Sequence, residues 1–325
     1  MRFVIFGAGA VGGVVGARLH QAGFGVTLIA RGAHLEAIRR DGLTLLTPTE
    51  RVTLRLPAAA DPAEVEWTDE DVVLLATKSQ DTLGALTDLR AAAGTAVPVV
   101  CVQNGVENER AALRLMERVY GAVVMVPTAH LEPGLVESYG TELSGMIDVG
   151  RYPGGVDESC EQICAALSGS MFLSEPSPAV MRLKYAKLLV NLGNAVHALC
   201  RPGERRDELT ELARAEGEAA LIAAGIDFVA DEVADVDTRW ARMGVRDIAG
   251  RRRPGSSTWQ SLARGTGTIE TDYLNGEIVL QGRLHGVPTP VNAALCRLAA
   301  QAAREGRGGR EPNLIGAEDV LAVAA

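Results

Sequence analysis

The stretch Met181-Arg182-Leu183-Lys184-Tyr185-Ala186-Lys187-Leu188-Leu189-Val190-Asn191-Leu192-Gly193-Asn194 puts an ammonium and two carboxamides on one face of a helix. Lys187, Asn191 and Asn194 stand at i, i+4 and i+7, and Lys184 extends the stripe one turn earlier. The positions between them are apolar, so the helix is mostly buried. A solvated face would use Glu, Lys and Arg rather than asparagines, which are poor helix formers. A buried lysine followed by asparagines suggests a polar cleft. An ammonium with an ordinary pKa of ~10.4 is charged at neutral pH; it can stabilise a developing alkoxide and then donate a proton. Lys184 is the rival donor on the same stripe.

A second chemical feature opens the chain. Gly7-Ala8-Gly9-Ala10-Val11-Gly12 is a G-x-G-x-x-G turn between the apolar run Arg2 to Phe6 and a helical stretch. The first glycine permits the tight turn, the second lets backbone approach a pyrophosphate, and the third lets helix and strand pack closely. The diphosphate then meets the open amides of a helix N-terminus. At the end of the next apolar run, where an acid would accept from a ribose 2′-hydroxyl, this chain has Arg31. A guanidinium binds a 2′-phosphate with charge-assisted hydrogen bonds, so NADP(H) is expected over NAD(H). Two more runs end in Thr77-Lys78-Ser79 and Gln103-Asn104-Gly105, and Lys78 and Asn104 are expected to face the same cofactor.

The elements that must position these groups follow from hydropathy. Apolar runs at 2–6, 26–30, 72–77, 99–102 and 122–126 alternate with helical stretches, the pattern of a parallel sheet covered on both faces. Shorter runs near 43–46, 52–56, 135–138 and 147–149 read as edge or antiparallel additions. From about residue 176 the chain reads as helices only, at 178–200, 204–225, 231–243, 257–264, 267–285 and 290–304. The expected organisation is a doubly wound α/β domain, 1–176, followed by an all-helical domain, 177–325. Gly250 to Gly255, with three arginines, reads as a solvated turn.

Composition narrows the partners. With 32 basic and 41 acidic residues the net charge is −9, which gives no attraction to nucleic acid or an anionic membrane. No apolar run is long enough to span a bilayer. The five cysteines, Cys101, Cys160, Cys164, Cys200 and Cys296, are scattered and odd in number. They suit buried thiols in a reducing cytoplasm better than disulfides or a metal site, and no metal is expected. The helical domain could bury a homodimer surface.

Two further groups complete the pattern: Ser256-Ser257-Thr258-Trp259-Gln260, and Glu270-Thr271-Asp272-Tyr273-Leu274-Asn275-Gly276. Alone, the serines are a helix cap and Glu270 a surface acid. Together with Gly7 to Gly12, Arg31, Thr77-Lys78, Gln103-Asn104-Gly105 and Lys187-x3-Asn191, they resemble the 2-dehydropantoate 2-reductases (ketopantoate reductases) over nearly the whole length. The resemblance implies a Rossmann domain joined to a helical domain like that of 6-phosphogluconate dehydrogenase, with the active site between them. It implies NADPH-dependent reduction of 2-dehydropantoate to (R)-pantoate, a step of pantothenate biosynthesis. Lys187 would be the catalytic lysine and Asn191 a substrate asparagine. Ser257 would hold the substrate carboxylate, and Glu270 would serve both the cofactor and the active-site lysine. Lys78 and Asn104 would touch the cofactor, Asn104 also lying near the substrate. The family often has its second asparagine eight residues after the lysine; here Ala195 stands there and Asn194 is at seven. The stretch from Gln260 to Glu270 is also about one residue longer than usual. A same-fold reductase of another 2-oxo acid or an imine, and a non-catalytic NADP sensor, are the alternatives.

Overall fold

The computed structural model describes residues 1–228, 243–265, 267–307 and 314–324. In chain order the strands are β1 (Arg2–Phe6), β2 (Gly25–Ile29), β3 (Leu43–Leu46), β4 (Arg51–Leu54), β5 (Ala58–Ala59) and β6 (Asp71–Leu75). Then come β7 (Val99–Cys101), β8 (Val119–Met125), β9 (Thr128–Ala129), β10 (Leu135–Ser138), β11 (Gly145–Arg151) and β12 (Phe172–Leu173). One sheet has the order β12-β11-β8-β7-β6-β1-β2-β5. From β5 to β8 all neighbours are parallel, and β11 runs antiparallel to β8. The second sheet is β4-β3-β10-β9. It gathers three of the four short runs expected as additions; the fourth lies within β11.

The inner strands of the first sheet are apolar over 3–6, 72–75 and 99–101 because both sheet faces are covered. On β1, Phe3 and Ile5 join a core with Val14, Leu19 and Ile163, from α1 (Ala10–Gln21) and α5 (Glu158–Ser168). Val4 and Phe6 point to the opposite core, with Leu86, Leu89 and Ala112 from α3 (Thr82–Ala93) and α4 (Asn108–Leu113). This is the period-two alternation of a strand between two helical layers. The remaining helix of this region is α2 (Gly32–Asp41). The runs expected at 72–77 and 99–102 end as strands at Leu75 and Cys101, although Ala76 and Val102 still donate to the Phe6 and Leu75 carbonyls at 2.8 Å.

The later helices are α6 (Val180–Asn191), α7 (Gly193–Leu199), α8 (Glu204–Ala223), α9 (Ser257–Arg264), α10 (Asn275–His285), α11 (Pro290–Arg304) and α12 (Ala317–Ala324). The helix expected over 178–200 is thus interrupted at Leu192, although Leu192 keeps helical angles (φ −59°, ψ −33°). The helix expected over 267–285 is a 3-10 turn, Glu270–Tyr273, followed by α10; Leu274 (φ −114°, ψ −87°) breaks them apart. The helix expected at 231–243 lies, except for its last residue, outside the described residues.

The chain divides into two compact units, Met1–Lys184 with Ala234–Arg253, and Tyr185–Val233 with Pro254–Ala325. The division falls inside α6 rather than at residue 176, because Lys184 is buried within the first unit. That unit also takes back a later segment. Met243 packs with Met125 and Met146, and Arg251 lies 2.8 Å from both Glu132 and Glu137. The arginine run expected as a solvated turn therefore has one member in a carboxylate pair, Glu137 being buried and also accepting from the Tyr139 hydroxyl.

Candidate active site

In the first unit the residues expected to face a cofactor all stand where strands end. Gly7 follows β1 with φ +104°, a conformation that disfavours any side chain, and a Cβ there would lie 2.8 Å from backbone of Ala76 and Thr77. A Cβ on Gly12 would lie 2.2 Å from the Gly7 carbonyl oxygen. Gly9, the residue before α1, faces open space with nothing within 4 Å of a Cβ. No acid stands in the first turn of α1, so Gly9, Ala10, Val11 and Gly12 form an amide-rich, uncharged mouth, while the Ala8 amide donates to the Ile29 carbonyl (3.0 Å). The residues present fit a dinucleotide diphosphate. β1 is flanked by β2 and β6, and the chain reverses direction across the sheet at that point, which is where open α/β sheets bind ligands.

Arg31 precedes α2, and its guanidinium is 83% exposed, with Nη2 3.1 Å from the Asp81 carboxylate. A surface pair of this kind contributes little to stability. It holds the guanidinium at the edge where Lys78 follows β6 and Asn104 follows β7, both half-buried.

These last two turns are braced by a buried polar network. The Gln103 side-chain amide donates to the Thr77 carbonyl and the Thr82 hydroxyl, both at 2.8 Å. Asn108 donates to the Asn104 carbonyl (3.0 Å) and the Ser79 hydroxyl (3.2 Å), and accepts from Thr82 (2.8 Å). Asn108 carries no signal of this in the sequence, since its partners are turn groups without periodicity. His34 was equally silent. Its Nδ1 accepts from the Gly134 amide at 2.9 Å, which leaves Nε2–H to donate to the Ala8 carbonyl at 2.8 Å inside the glycine turn. Burial pushes the His34 pKa below its ordinary value. The His130 ring lies against it, centroids 4.1 Å apart and planes tilted by 48°.

Lys184 is committed to buried partners. Its ammonium is buried against Glu109, 2.5 Å away, with two backbone carbonyls as further acceptors. Its helical spacing placed it on the lysine–asparagine stripe, but its partner lies far off in sequence.

In the second unit Lys187 is half-buried and Asn191 buried, both on α6, while Asn194 lies on α7. Ser256, not Ser257, caps α9: its hydroxyl accepts from the Trp259 amide (3.3 Å) and donates to the Asn194 carbonyl (3.1 Å). This brings Ser257, the first residue of α9, to the joint that carries the asparagines. Asn275, buried, donates to the Leu192 carbonyl (3.2 Å) and to Asn292 (2.9 Å), so a second residue unassigned by the sequence fixes that joint. Glu270 is half-buried on its 3-10 turn. It has a basic neighbour in Arg264, whose pKa burial lowers and the Glu270 charge raises. Among the described residues no group of three His, Cys, Asp or Glu could hold a metal, and no helix is long and apolar enough to cross a membrane.

Comparison with known proteins decides the lineage. The ketopantoate reductase PanE/ApbA model matches residues 3–154, and the model of its C-terminal part matches residues 176–303. The chain belongs to the ketopantoate reductase family. A 2-dehydropantoate 2-reductase of Halobacterium salinarum is 33% identical over 94% of this chain and 100% of its own. One from Pyrococcus horikoshii is 30% identical over 95% and 99%. The crystal structure of a family ketopantoate reductase from Ralstonia eutropha superposes with a TM-score of 0.79 at 32% identity, covering 94% of this chain and 99% of that one. D-mandelate dehydrogenase with NADH and anilino(oxo)acetate shares the fold, with a TM-score of 0.80 at 24% identity over 94% and 99%. The family makes this chain an oxidoreductase acting on a CH–OH group.

Proposed function

We propose that this protein reduces 2-dehydropantoate to (R)-pantoate with NADPH, Lys187 acting as proton donor. The observation that carries the reading is the separation of the two lysines on α6. Lys184 is committed to buried acceptors, whereas Lys187 stays in line with Asn191 and beside the joint bearing Asn194. Gly7 to Gly12 would hold the diphosphate, Arg31 the 2′-phosphate, and Lys78, Asn104 and Glu270 the remainder of the cofactor. Bound there, the reduced nicotinamide supplies a hydride. Lys187 stabilises the oxyanion at C2 and donates its proton to it; an ammonium does both at neutral pH. Asn104, Asn191 and Asn194 donate hydrogen bonds without adding charge and fix the substrate's orientation. Ser257, at the start of α9, holds the substrate carboxylate, and Glu270 orients Lys187.

The partner is thus a small 2-oxo acid, and the five free thiols support a cytoplasmic setting. A homodimer through the second unit is supported by Ile222 and Leu284, 69% and 65% exposed on α8 and α10, which pack together. The test of function is NADPH oxidation by purified protein. Turnover of 2-dehydropantoate far above that of other 2-oxo acids is expected; turnover of another acid with none of 2-dehydropantoate rejects the substrate. A second reading, reduction of a different 2-oxo acid or an imine, is favoured by one feature: Ala195 stands where the family often has its second asparagine. A panel of 2-oxo acids with and without amines separates the two.

A further inference from the structure

The Lys184–Glu109 pair has an arrangement that stability does not explain. The ammonium has three protons and meets three acceptors: Glu109 Oε1 at 2.5 Å, the Gln103 carbonyl at 2.9 Å and the Ala122 carbonyl at 3.2 Å. The Lys184 side chain is 3% exposed and that of Glu109 0%. Taking both charges out of water costs several kcal/mol per ion, and apolar residues of like volume often serve a fold as well or better. What the pair does contribute is direction. The Gln103 carbonyl lies one residue before Asn104, where the chain leaves β7. The next carbonyl, that of Asn104 itself, is held by Asn108, which neighbours Glu109 in the first turn of α4. Two successive carbonyls of the turn are therefore each pinned by a buried donor, and the Gln103 side chain ties the same turn to Thr77. With its backbone fixed at both positions, the orientation of Asn104 is set from beneath.

We propose that Lys184 and Glu109 are positioning residues for the reductase reaction, holding the Gln103-Asn104 turn so that Asn104 meets cofactor and substrate in register. This rests on the proposed role of Asn104 as a contact for both. Burial pushes the Glu109 carboxyl up from its ordinary value, and the ammonium beside it pulls it part of the way back. Misplacement of a positioning group by about 1 Å can cost a hundredfold in rate.

The test is the double variant Lys184→Met/Glu109→Met, which removes both charges at similar volume and so avoids an orphaned ion. Its melting temperature is expected close to that of the wild type. Hydrogen–deuterium exchange should rise in the segment 103–108 and stay unchanged at 7–13. The kcat should fall roughly tenfold to a hundredfold, while the Kd for NADPH, titrated by its fluorescence, stays within about threefold, because Gly7 to Gly12 and Arg31 lie outside the network. Lys184→Arg, which keeps charge and donors, should retain most of the turnover. Glu109→Gln is the substitute if the double variant does not fold, with the same direction of change. Wild-type protection at 103–108 in the variant overturns the proposal. So does a wild-type kcat in a variant whose 103–108 segment has loosened. If the wild type itself does not turn over 2-dehydropantoate, the proposed function fails, and the exchange measurement still decides whether the pair holds the turn.

Discussion

Two glycines of the same turn should fail in different ways when each gains a methyl group. At Gly12 the added Cβ would sit 2.2 Å from the Gly7 carbonyl oxygen, 2.9 Å from Ile5 Cγ2 and 3.0 Å from Ala76 Cβ. The nearest of these is backbone and cannot rotate away, so helix and strand must separate. Overpacking of this kind costs about 1–3 kcal/mol, and a backbone clash belongs at the upper end. Alanine recovers up to ~1 kcal/mol of helix propensity, which leaves about 2 kcal/mol net. For a unit of this size that lowers the melting temperature by about 4–8 °C. At Gly9 the added Cβ meets nothing within 4 Å, and its φ of −73° is one that any residue adopts. The small loss of capping preference there is roughly offset by the reduced freedom of the unfolded chain, so Gly9→Ala should melt within about 2 °C of wild type.

Cofactor affinity reverses the contrast. The methyl on Gly9 would occupy the open approach to the first-turn amides of α1. Losing one charge-assisted hydrogen bond to a phosphate, about 1.5–3 kcal/mol, weakens NADPH binding by about tenfold to a hundredfold. The assay is thermal melting of each variant without cofactor, beside NADPH titration by fluorescence. A Gly9→Ala protein that binds NADPH as the wild type does would refute the assignment of this turn to the diphosphate. A Gly12→Ala protein with wild-type melting would refute the packing argument. Equal losses of stability in both would show that neither glycine is kept for the ligand.

Lys187→Ala should lower kcat by about 10²–10⁴-fold while NADPH binding persists, and near-normal turnover would remove Lys187 from the chemistry. Arg31→Asp places a carboxylate beside Asp81 and should raise the KM for NADPH far more than that for NADH, measured by steady-state kinetics with each cofactor. His34 holds its proton less tightly in the fold than its ordinary pKa of 6.5 implies, because burial disfavours the cation. As pH falls past 6.5 the unfolded chain gains a proton that the folded chain refuses, so stability rises with pH across this window and is lost below it. His34→Asn should flatten that slope in melting temperature against pH; an unchanged slope would acquit His34.

The sheet was legible in the sequence because its strands are buried on both faces and their runs are continuously apolar, as at Val72 to Leu75. The glycine turn was legible because its three constraints are local. Spacing already separates two lysines one turn apart on the same stripe, since only Lys187 stands four residues before Asn191. What spacing could not supply is Glu109, the partner of Lys184, which no local pattern connects to α6. The return of Met243 to Arg253 to the first unit was hidden for the same reason, since its partners Met125, Met146 and Glu137 lie on strands distant in sequence.

The residues that escaped sequence reading share a physical signature. His34, Asn108 and Asn275 each satisfy a backbone group that an irregular joint leaves available: the Ala8 carbonyl in the glycine turn, the Asn104 carbonyl after β7, and the Leu192 carbonyl where α6 gives way to α7. Regular helix and strand satisfy their own backbone and announce themselves by period. Turns that expose backbone toward a ligand cannot, and each needs a buried side chain to complete its hydrogen bonding. All three joints carry residues assigned to the cofactor or the substrate. Replacing Asn275 should therefore disturb turnover through Asn191 and Asn194 although Asn275 is expected to touch no ligand, just as Asn108 acts on Asn104.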